Sequence, residues 1–133
     1  MAVLQVNFRG SGGYGRDFQS AGYRHWGDTI QYDIIDGTRA MIDRGIVDKD
    51  RVCIYGGSFG GYSALQSPIL EPDMFACAIG FVGVYDLEMM YTKGDIPTSE
   101  AGISILNDYI GEDKTQLREF SPVHNVDKLK SAL

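Results

Sequence analysis

The chain has 133 residues, and its 12 Lys and Arg against 18 Asp and Glu give a formal net charge of -6. This length fits one domain, and 44% hydrophobic residues are ample for its core, which excludes a largely disordered chain. An acidic chain without a basic block disfavours nucleic acid and anionic membrane surfaces as partners, and no stretch approaches the roughly 18 consecutive apolar residues of a membrane-spanning helix.

The first third of the chain predicts a strand, a glycine-rich loop and a helix. Residues Ala2–Phe8 are β-rich and lead into a loop whose glycines permit positive φ. The stretch Arg16–Gly27 is polar and aromatic and is expected to be loop with short turns. Asp28 is the predicted N-cap of a helix that ends at Gly45, with Gln31 completing a capping box. The residues that recur at near-helical spacing along it are Ile30, Ile34, Thr38 and Met41.

The remainder predicts an α/β sheet, because strands and helices alternate. Arg51–Tyr55 is a predicted strand, and Tyr62–Gln66 is a predicted helix that ends before Pro68. Phe75–Val82 is apolar on both faces, as expected for a central parallel strand with helices on both sides. Two more helices are predicted, Leu87–Tyr91 and Glu100–Ile110, the second capped by Thr98 or Ser99 and closed by Gly111.

The two cysteines, Cys53 and Cys77, lie inside apolar runs. This setting predicts two small buried hydrophobic residues, and neither a disulfide nor a metal site. A reducing compartment, and with it a cytoplasmic location, is therefore expected.

The strongest chemical signal is a Gly-x-Ser-x-Gly sequence at residues 56–60. In a sharp strand-to-helix turn this pattern places the serine, here Ser58, at the apex with a strained backbone. Glycines two residues to either side remove the Cβ atoms that would collide as strand and helix close together. The β run before the pattern and the helix-compatible segment after it favour a nucleophile; a plain glycine-rich turn is the alternative.

An earlier loop, Gly10–Gly15, fits Gly-x-Gly-x-x-Gly, which can indicate a dinucleotide site. That site needs a helix directly after the glycines, yet Gly22 and Gly27 interrupt the following stretch, and no acidic residue ends a second strand about 20 positions on. No cofactor is therefore expected. The alternative to a dinucleotide site is a glycine-rich surface turn.

A serine nucleophile needs a base, and the chain has two histidines, His25 and His124. The order Ser, acid, His of α/β-hydrolases leaves His124 as the only candidate. No local feature marks it as a base, so a structural or solvent-exposed histidine is the alternative.

Four segments resemble one family of enzymes. The sequence at Asn7–Gly15 and at Tyr55–Tyr62 closely resembles the prolyl oligopeptidase family of serine peptidases, nearest to its acylaminoacyl-peptidase and dipeptidyl-aminopeptidase branch. Gly80–Leu87 and Ser121–Val123 resemble further segments of that family in the same order. The resemblance implies a partial α/β-hydrolase fold, with a mostly parallel sheet and flanking helices.

The family's mechanism implies a role for several residues. Ser58 would attack the scissile carbonyl of a peptide substrate, while the backbone N–H of Phe59 and the hydroxyl of Tyr14 would donate to the oxyanion. The mechanism implies neither a metal nor a cofactor. Three residues would line the pocket for the substrate side chain that precedes the scissile bond: Val82, Val84 and Tyr85. The alternative is that they are ordinary core residues at the end of a strand.

By the same resemblance, residues 1–133 would be the central part of a catalytic domain. The aspartate and histidine partners of Ser58, an N-terminal propeller and the strand between Ala2–Phe8 and Arg51–Tyr55 would lie outside it, which predicts a gap or an unpaired edge in the sheet. Two functions follow. The chain is a serine peptidase completed by other segments or another chain, or it is an inert α/β module that forms homo-oligomers through strand edges.

Overall fold

The computed structural model describes residues 1–133 and is built on a two-stranded parallel sheet. Strand β1 (Cys53–Gly57) and strand β2 (Cys77–Phe81) pair in register from their first residue to their last. Beyond β2, Ala132 adds a single parallel bridge to Cys77. The other edge of β1 has no strand partner. Parallel pairing across an intervening helix confirms the predicted α/β class.

The chain forms five α-helices: α1 (Arg16–Ser20), α2 (Thr29–Asp43), α3 (Phe59–Leu70), α4 (Glu100–Tyr109) and α5 (Lys114–Glu119). Helix α3 joins β1 to β2 and packs against both strands, and α2 packs against α3. The sheet, α3 and α2 are therefore successive layers. None of the five helices has the length and apolar character needed to cross a bilayer.

Only one face of the sheet is covered. Along β2, Ala78 is 1% exposed, whereas Ile79 is 52% and Phe81 is 62% exposed. Tyr55 of β1 pairs with Ile79 and is 72% exposed on the same face. The prediction that Phe75–Val82 is covered on both sides is therefore wrong for this chain, because its helices pack on one face of the strand pair.

The N-terminal segment Ala2–Phe8 does not form the predicted strand. It lies instead along α2, where a Cβ on Gly37 would come within 2.9 Å of Val6 Cγ2. Its last residue, Phe8, has its ring centroid 5.4 Å from that of Phe59. A strand needs a neighbour to accept and donate its backbone hydrogen bonds, and the expected gap between this segment and β1 leaves it without one.

Local signals set the boundaries of α2 and α4, as predicted. The Asp28 side chain accepts a hydrogen bond from the first amide of α2, and Gly45, with φ 68°, follows its end. The Ser99 side chain caps α4, which is followed by Gly111 with φ 78°. Short polar side chains before a helix and a left-handed glycine after it satisfy the end groups that lack intrahelical partners.

The predicted capping box is wrong, because Gln31 turns into the protein. Its Nε2 donates to the Trp26 carbonyl at 2.7 Å and to the Ser63 hydroxyl at 3.2 Å, and its Oε1 accepts from the Ser67 hydroxyl at 2.9 Å. Gln66 of α3 also donates to a main-chain carbonyl of the segment before α2, at 3.0 Å. These buried hydrogen bonds join α2 to α3.

Helix α3 runs through Pro68, so the predicted end before this residue is wrong. The proline removes one amide donor near the end of the helix, is fully buried, and leaves the Glu71 amide bonded to the Ser67 carbonyl at 2.9 Å. The predicted helix Leu87–Tyr91 is reduced to a 3₁₀ turn at Met89–Tyr91. The sequence does not predict α1 and α5, which are too short for a periodic pattern.

Cys53 and Cys77 form a disulfide across the first register pair of the sheet, with their Cα atoms 4.6 Å apart. Cys53 is exposed and Cys77 is half-buried. The interpretation of the cysteines as separate buried residues is therefore wrong. They are neighbours only because the register of β1 and β2 places them opposite each other. The inference of a reducing compartment loses its basis.

Arg9 ties the glycine-rich loop to α2 through a bidentate ion pair with Asp33. Arg9 Nη2 lies 2.6 Å from Asp33 Oδ1, and Arg9 Nε and its backbone N–H each donate to Asp33 Oδ2 at 2.9 Å. The hydrogen bond from the Arg9 side chain holds the pKa of Asp33 below its ordinary value despite partial burial. Planar pairing of this kind fixes geometry as well as adding stability.

We expect Asp33→Asn to lower the free energy of unfolding at pH 7 by about 1 kcal/mol, since the pair is partly exposed to solvent. Because the native pKa of Asp33 is lowered, its stabilisation is present above the ordinary Asp pKa of about 3.9 and is lost as the pH falls through the native value. Urea unfolding should therefore show a difference between wild type and variant that stays constant from pH 7 to about pH 5 and narrows as the pH falls below about 4.

The control is Asp36→Asn, on the same helix, because the Asp36 side chain is 68% exposed in its pair with Arg39. It should change the stability by less than about 0.5 kcal/mol. A difference between wild type and Asp33→Asn that stays constant down to pH 3 would contradict the assignment of the pair.

Candidate active site

The chain reverses direction at Ser58, between the last residue of β1 and the first of α3; residues Gly56–Gly60 are called the elbow below. Ser58 has φ 55° and ψ -119°, which a non-glycine residue adopts only when its surroundings impose it. Its N–H donates to the Phe81 carbonyl at 2.9 Å, and the residue is exposed. The structure thus has the sharp strand-to-helix turn that the sequence predicts, and the nucleophilic role of Ser58 stays a prediction.

Two glycines make the elbow possible. A Cβ on Gly56 would collide with the Gly60 carbonyl and lie 2.7 Å from the Gly60 Cα, and one on Gly61 would lie 2.8 Å from the Gly83 Cα. These neighbours are backbone, which cannot rotate away. A Cβ on Gly60 would meet nothing within 4 Å. The steric need for glycine on both sides of Ser58 therefore holds at Gly56 and not at Gly60, and Gly61 carries the second constraint.

Phe59 is the first residue of α3, so its N–H has no acceptor within the helix. The positive end of the helix dipole lies at the same place. A donor directly after Ser58 is therefore available to a negatively charged oxygen. The Phe59 ring packs against Trp26, with centroids 4.6 Å apart, and against Tyr62, at 5.8 Å.

Tyr62 anchors the first turns of α3 in the core. It is 0% exposed, and its hydroxyl donates to the Phe120 carbonyl at 2.9 Å. Burial raises the pKa of this hydroxyl well above its ordinary value, so it remains a neutral donor. Its neighbours in the core are Leu87, Leu106, Ile110 and Leu117.

The glycine-rich loop begins beside the elbow, and Tyr14 lies farther along it on the protein surface. Phe8 packs against Phe59, and an open groove of about 290 Å³ lies between the start of the loop and the start of α3. Tyr14 is 56% exposed and packs on Phe18, with ring centroids 5.3 Å apart. Its hydroxyl has no hydrogen bond to Ser58 or Phe59. Of the two predicted donors, the Phe59 N–H therefore lies directly after Ser58, and the Tyr14 hydroxyl is on the surface.

The segment after β2 carries the three predicted pocket residues in three different settings. Val82 has φ 44°, which is strained for a β-branched residue, and is 70% exposed. Val84 packs against the core cluster around Tyr62. Tyr85 is half-buried, and its ring lies so close that a Cβ on Gly83 would be 2.6 Å from it.

Ser121 holds this segment in place, a role that the sequence does not predict. The Leu87 amide donates to Ser121 Oγ at 2.9 Å, and the Val123 amide donates to the Tyr85 carbonyl at 3.0 Å. Ser121 is 0% exposed, and its hydroxyl donates to the Leu117 carbonyl at 2.6 Å. The only signal in the sequence is the family-like segment Ser121–Val123, which does not say what its serine bonds to.

Neither histidine is hydrogen-bonded to Ser58. His25 Nδ1 lies 3.0 Å from Asp28 Oδ1 at the start of α2. His124 is exposed and lines an open polar groove with Lys114 and Arg118, and Ser58 does not line that groove. No group of three or more His, Cys, Asp or Glu side chains is arranged to hold a metal ion.

A family model described as the prolyl oligopeptidase family matches residues 1–133. Dipeptidyl aminopeptidase BIII of Pseudoxanthomonas mexicana is 36% identical over 138 residues, covering 99% of this chain and 20% of that protein. Dipeptidyl peptidase family member 6 of Caenorhabditis elegans is 41% identical over 86 residues, covering 65% of this chain and 12% of that protein.

Solved structures match over nearly the whole chain. A puromycin hydrolase superposes with a TM-score of 0.83 at 28% identity, covering 95% of this chain and 19% of that one. Pyrococcus horikoshii acylaminoacyl peptidase superposes with a TM-score of 0.83 at 26% identity, covering 95% of this chain and 20% of that one. The chain thus spans a fifth or less of the length of these relatives, and its fold is part of an α/β-hydrolase fold.

We expect Gly56→Ala to lower the free energy of unfolding by about 3 kcal/mol, because its Cβ would collide with backbone that is held by both β1 and α3. Gly60→Ala is the matched control, since it adds the same methyl group in open space within a helix. It should leave the stability unchanged or raise it by up to about 1 kcal/mol. Urea unfolding followed by circular dichroism measures both, and equal stabilities for the two variants would contradict the close approach at Gly56.

Proposed function

The chain belongs to the prolyl oligopeptidase family, and on that premise we propose that it carries the nucleophile of a serine peptidase that cleaves short peptides through an acyl-enzyme on Ser58. The observation that carries the proposal is the left-handed backbone of Ser58 between β1 and α3. A side chain at such an apex projects away from both elements and is free to meet a substrate. Similarity to proteins named dipeptidyl aminopeptidase and acylaminoacyl peptidase makes a peptide the proposed substrate.

In this mechanism Ser58 Oγ attacks the scissile carbonyl carbon as its proton passes to a general base. The carbonyl oxygen becomes an oxyanion, to which the Phe59 N–H donates. The intermediate then collapses: the C–N bond breaks, the base returns its proton to the leaving amine, and an ester to Ser58 remains. Water hydrolyses that ester by the same steps, with the same base.

The base and the acid that orients it are assigned to residues beyond these 133, in the same protein or in a partner chain. The support is geometric, because His25 is engaged with Asp28 and His124 lines a groove that does not include Ser58. A base must lie within hydrogen-bond reach of the proton it takes, directly or through one water.

The segment after β2 is the proposed wall for the substrate side chain that precedes the scissile bond. Val82 offers an exposed apolar side chain. It lies beside the elbow because the residue before it, Phe81, accepts the Ser58 N–H through its carbonyl. Tyr85 offers a half-buried ring, and Val84, between them in the chain, packs against the core cluster. An apolar wall of this kind suits an apolar side chain of the substrate.

A fluorophosphonate probe tests the proposal, because it reacts with serines that a general base activates. In a longer protein that contains these residues together with the base and acid, we expect rapid, stoichiometric labelling at Ser58, located by mass spectrometry, and none in Ser58→Ala. The 133-residue chain alone should label at least about 100-fold more slowly, because the base is missing.

His124→Ala separates the two parts of the proposal. It should leave labelling of the longer protein unchanged. Rapid labelling of the 133-residue chain that disappears in His124→Ala would overturn the assignment of the base. A longer protein with Ser58 unlabelled would overturn the function itself.

Tyr14 is the proposed second oxyanion donor, on the resemblance alone. In the longer protein, Tyr14→Phe removes only the hydroxyl and should lower kcat/KM by about 10²- to 10³-fold. Tyr32→Phe, at an exposed tyrosine of α2, is the control and should have no effect. Full activity of Tyr14→Phe would exclude Tyr14 as a donor and leave it the role of packing on Phe18.

The second candidate function is an inert α/β module that self-associates. The uncovered apolar face of the sheet, with Tyr55, Ile79 and Phe81, and the unpaired edge of β1 favour it. It differs from the peptidase in two outcomes. Ser58 would stay unlabelled in every protein that contains it, and the sedimentation coefficient of the chain would rise with concentration.

A further inference from the structure

We propose that Cys53 and Cys77 form a reversible thiol–disulfide site, with a dithiol or a low-molecular-weight thiol as co-reactant, and that its disulfide clamps β1, which leads into the elbow, to β2, which hydrogen-bonds the elbow. Only the consequence at Ser58 rests on the proposed function. Formation and reduction of the disulfide do not depend on catalysis.

The position of the disulfide links it to the elbow. Cys53 opens β1, the strand that ends at the elbow, and Cys77 opens β2, whose last residue, Phe81, accepts the Ser58 N–H at 2.9 Å. The cross-link and this hydrogen bond therefore stand at opposite ends of one strand pair. With a sequence separation of 24, the disulfide closes a ring of chain that contains the elbow and all of α3.

Strand β1 has a single strand partner to hold its register, together with the packing of α3. It pairs with β2 alone, since its other edge has no strand partner. A covalent bond between the first residues of both strands prevents them from sliding past each other. It also restricts the unfolded chain, because the ends of the ring can no longer separate. Reduction removes both restraints at once.

The disulfide lies where a reagent can reach it. Cys53 is exposed, Cys77 is half-buried, and both lie on the face of the sheet that no helix of the chain covers. The side chain two residues after Cys53 on that face, Tyr55, is 72% exposed. Exposed disulfides are the ones that exchange with thiols.

The exchange is a two-step transfer of two electrons. A thiolate of the dithiol attacks Cys53 Sγ, the S–S bond breaks, and its electron pair leaves on Cys77 Sγ, which takes a proton. The second thiolate then attacks the reagent's own sulfur in the mixed disulfide and releases Cys53 as a thiolate, which is also protonated. The reagent becomes a cyclic disulfide, and a low-molecular-weight disulfide such as oxidised glutathione reverses the reaction.

The experiment treats the native protein with dithiothreitol, blocks thiols with N-ethylmaleimide without denaturant, and counts adducts by mass spectrometry. We expect no adduct before reduction and two after it, at Cys53 and Cys77. Reduction should lower the Tm by roughly 10 °C, and oxidised glutathione should restore it. In a protein whose Ser58 reacts with the fluorophosphonate probe, reduction should also slow that reaction severalfold.

The double variant Cys53→Ala, Cys77→Ala is the control and should have a Tm that dithiothreitol does not change. Free thiols in the air-oxidised protein, reduction that needs denaturant, or a Tm unchanged by reduction would each overturn the site. A lower Tm with an unchanged rate of Ser58 labelling would overturn the clamp on the elbow. If Ser58 does not react in either state, the proposed function fails, and adduct count and Tm still decide the thiol–disulfide site.

Discussion

The close approach of Gly60 to Gly56 is the contact on which the rest of the structure depends. Because Gly56 has no Cβ to collide with the Gly60 backbone, the chain leaves β1, turns through Ser58 and starts α3 within a single residue. Helix α3 then lies against both strands, and Gly61 lets it approach the backbone after β2. The exposed serine and the packing of the core therefore have the same steric origin.

Buried polar side chains of α3 fix the position of α2, and through α2 the position of the glycine-rich loop. Gln31 of α2 is 0% exposed and hydrogen-bonds two hydroxyls of α3. If α2 moved by one turn, these groups would be buried without partners, which is more unfavourable than a change of apolar contacts. The network thus sets the position of Asp33, and Asp33 holds the loop through Arg9.

What could be predicted from the sequence has causes within a few residues. Asp28 caps its helix with its own side chain, and the turn at Ser58 is marked by glycines between a strand and a helix. What could not be predicted depends on residues far away in the chain. Ala2–Phe8 has the composition of a strand and lacks a neighbour, and Cys53 meets Cys77 only through the register of two strands. Composition and spacing do not contain that register.

Val82 shows where the fold gives up stability. A valine at φ 44° is strained by roughly 1–3 kcal/mol, and with its side chain 70% exposed it regains little by burial. The residue before it accepts the amide of Ser58, which is strained as well, so the two lie side by side at one corner of the sheet. On the proposed function, this corner gives up stability so that Ser58 is held in an exposed position. Substitutions selected there for thermostability alone would relax the backbone that presents the serine, so directed evolution of this chain should begin elsewhere.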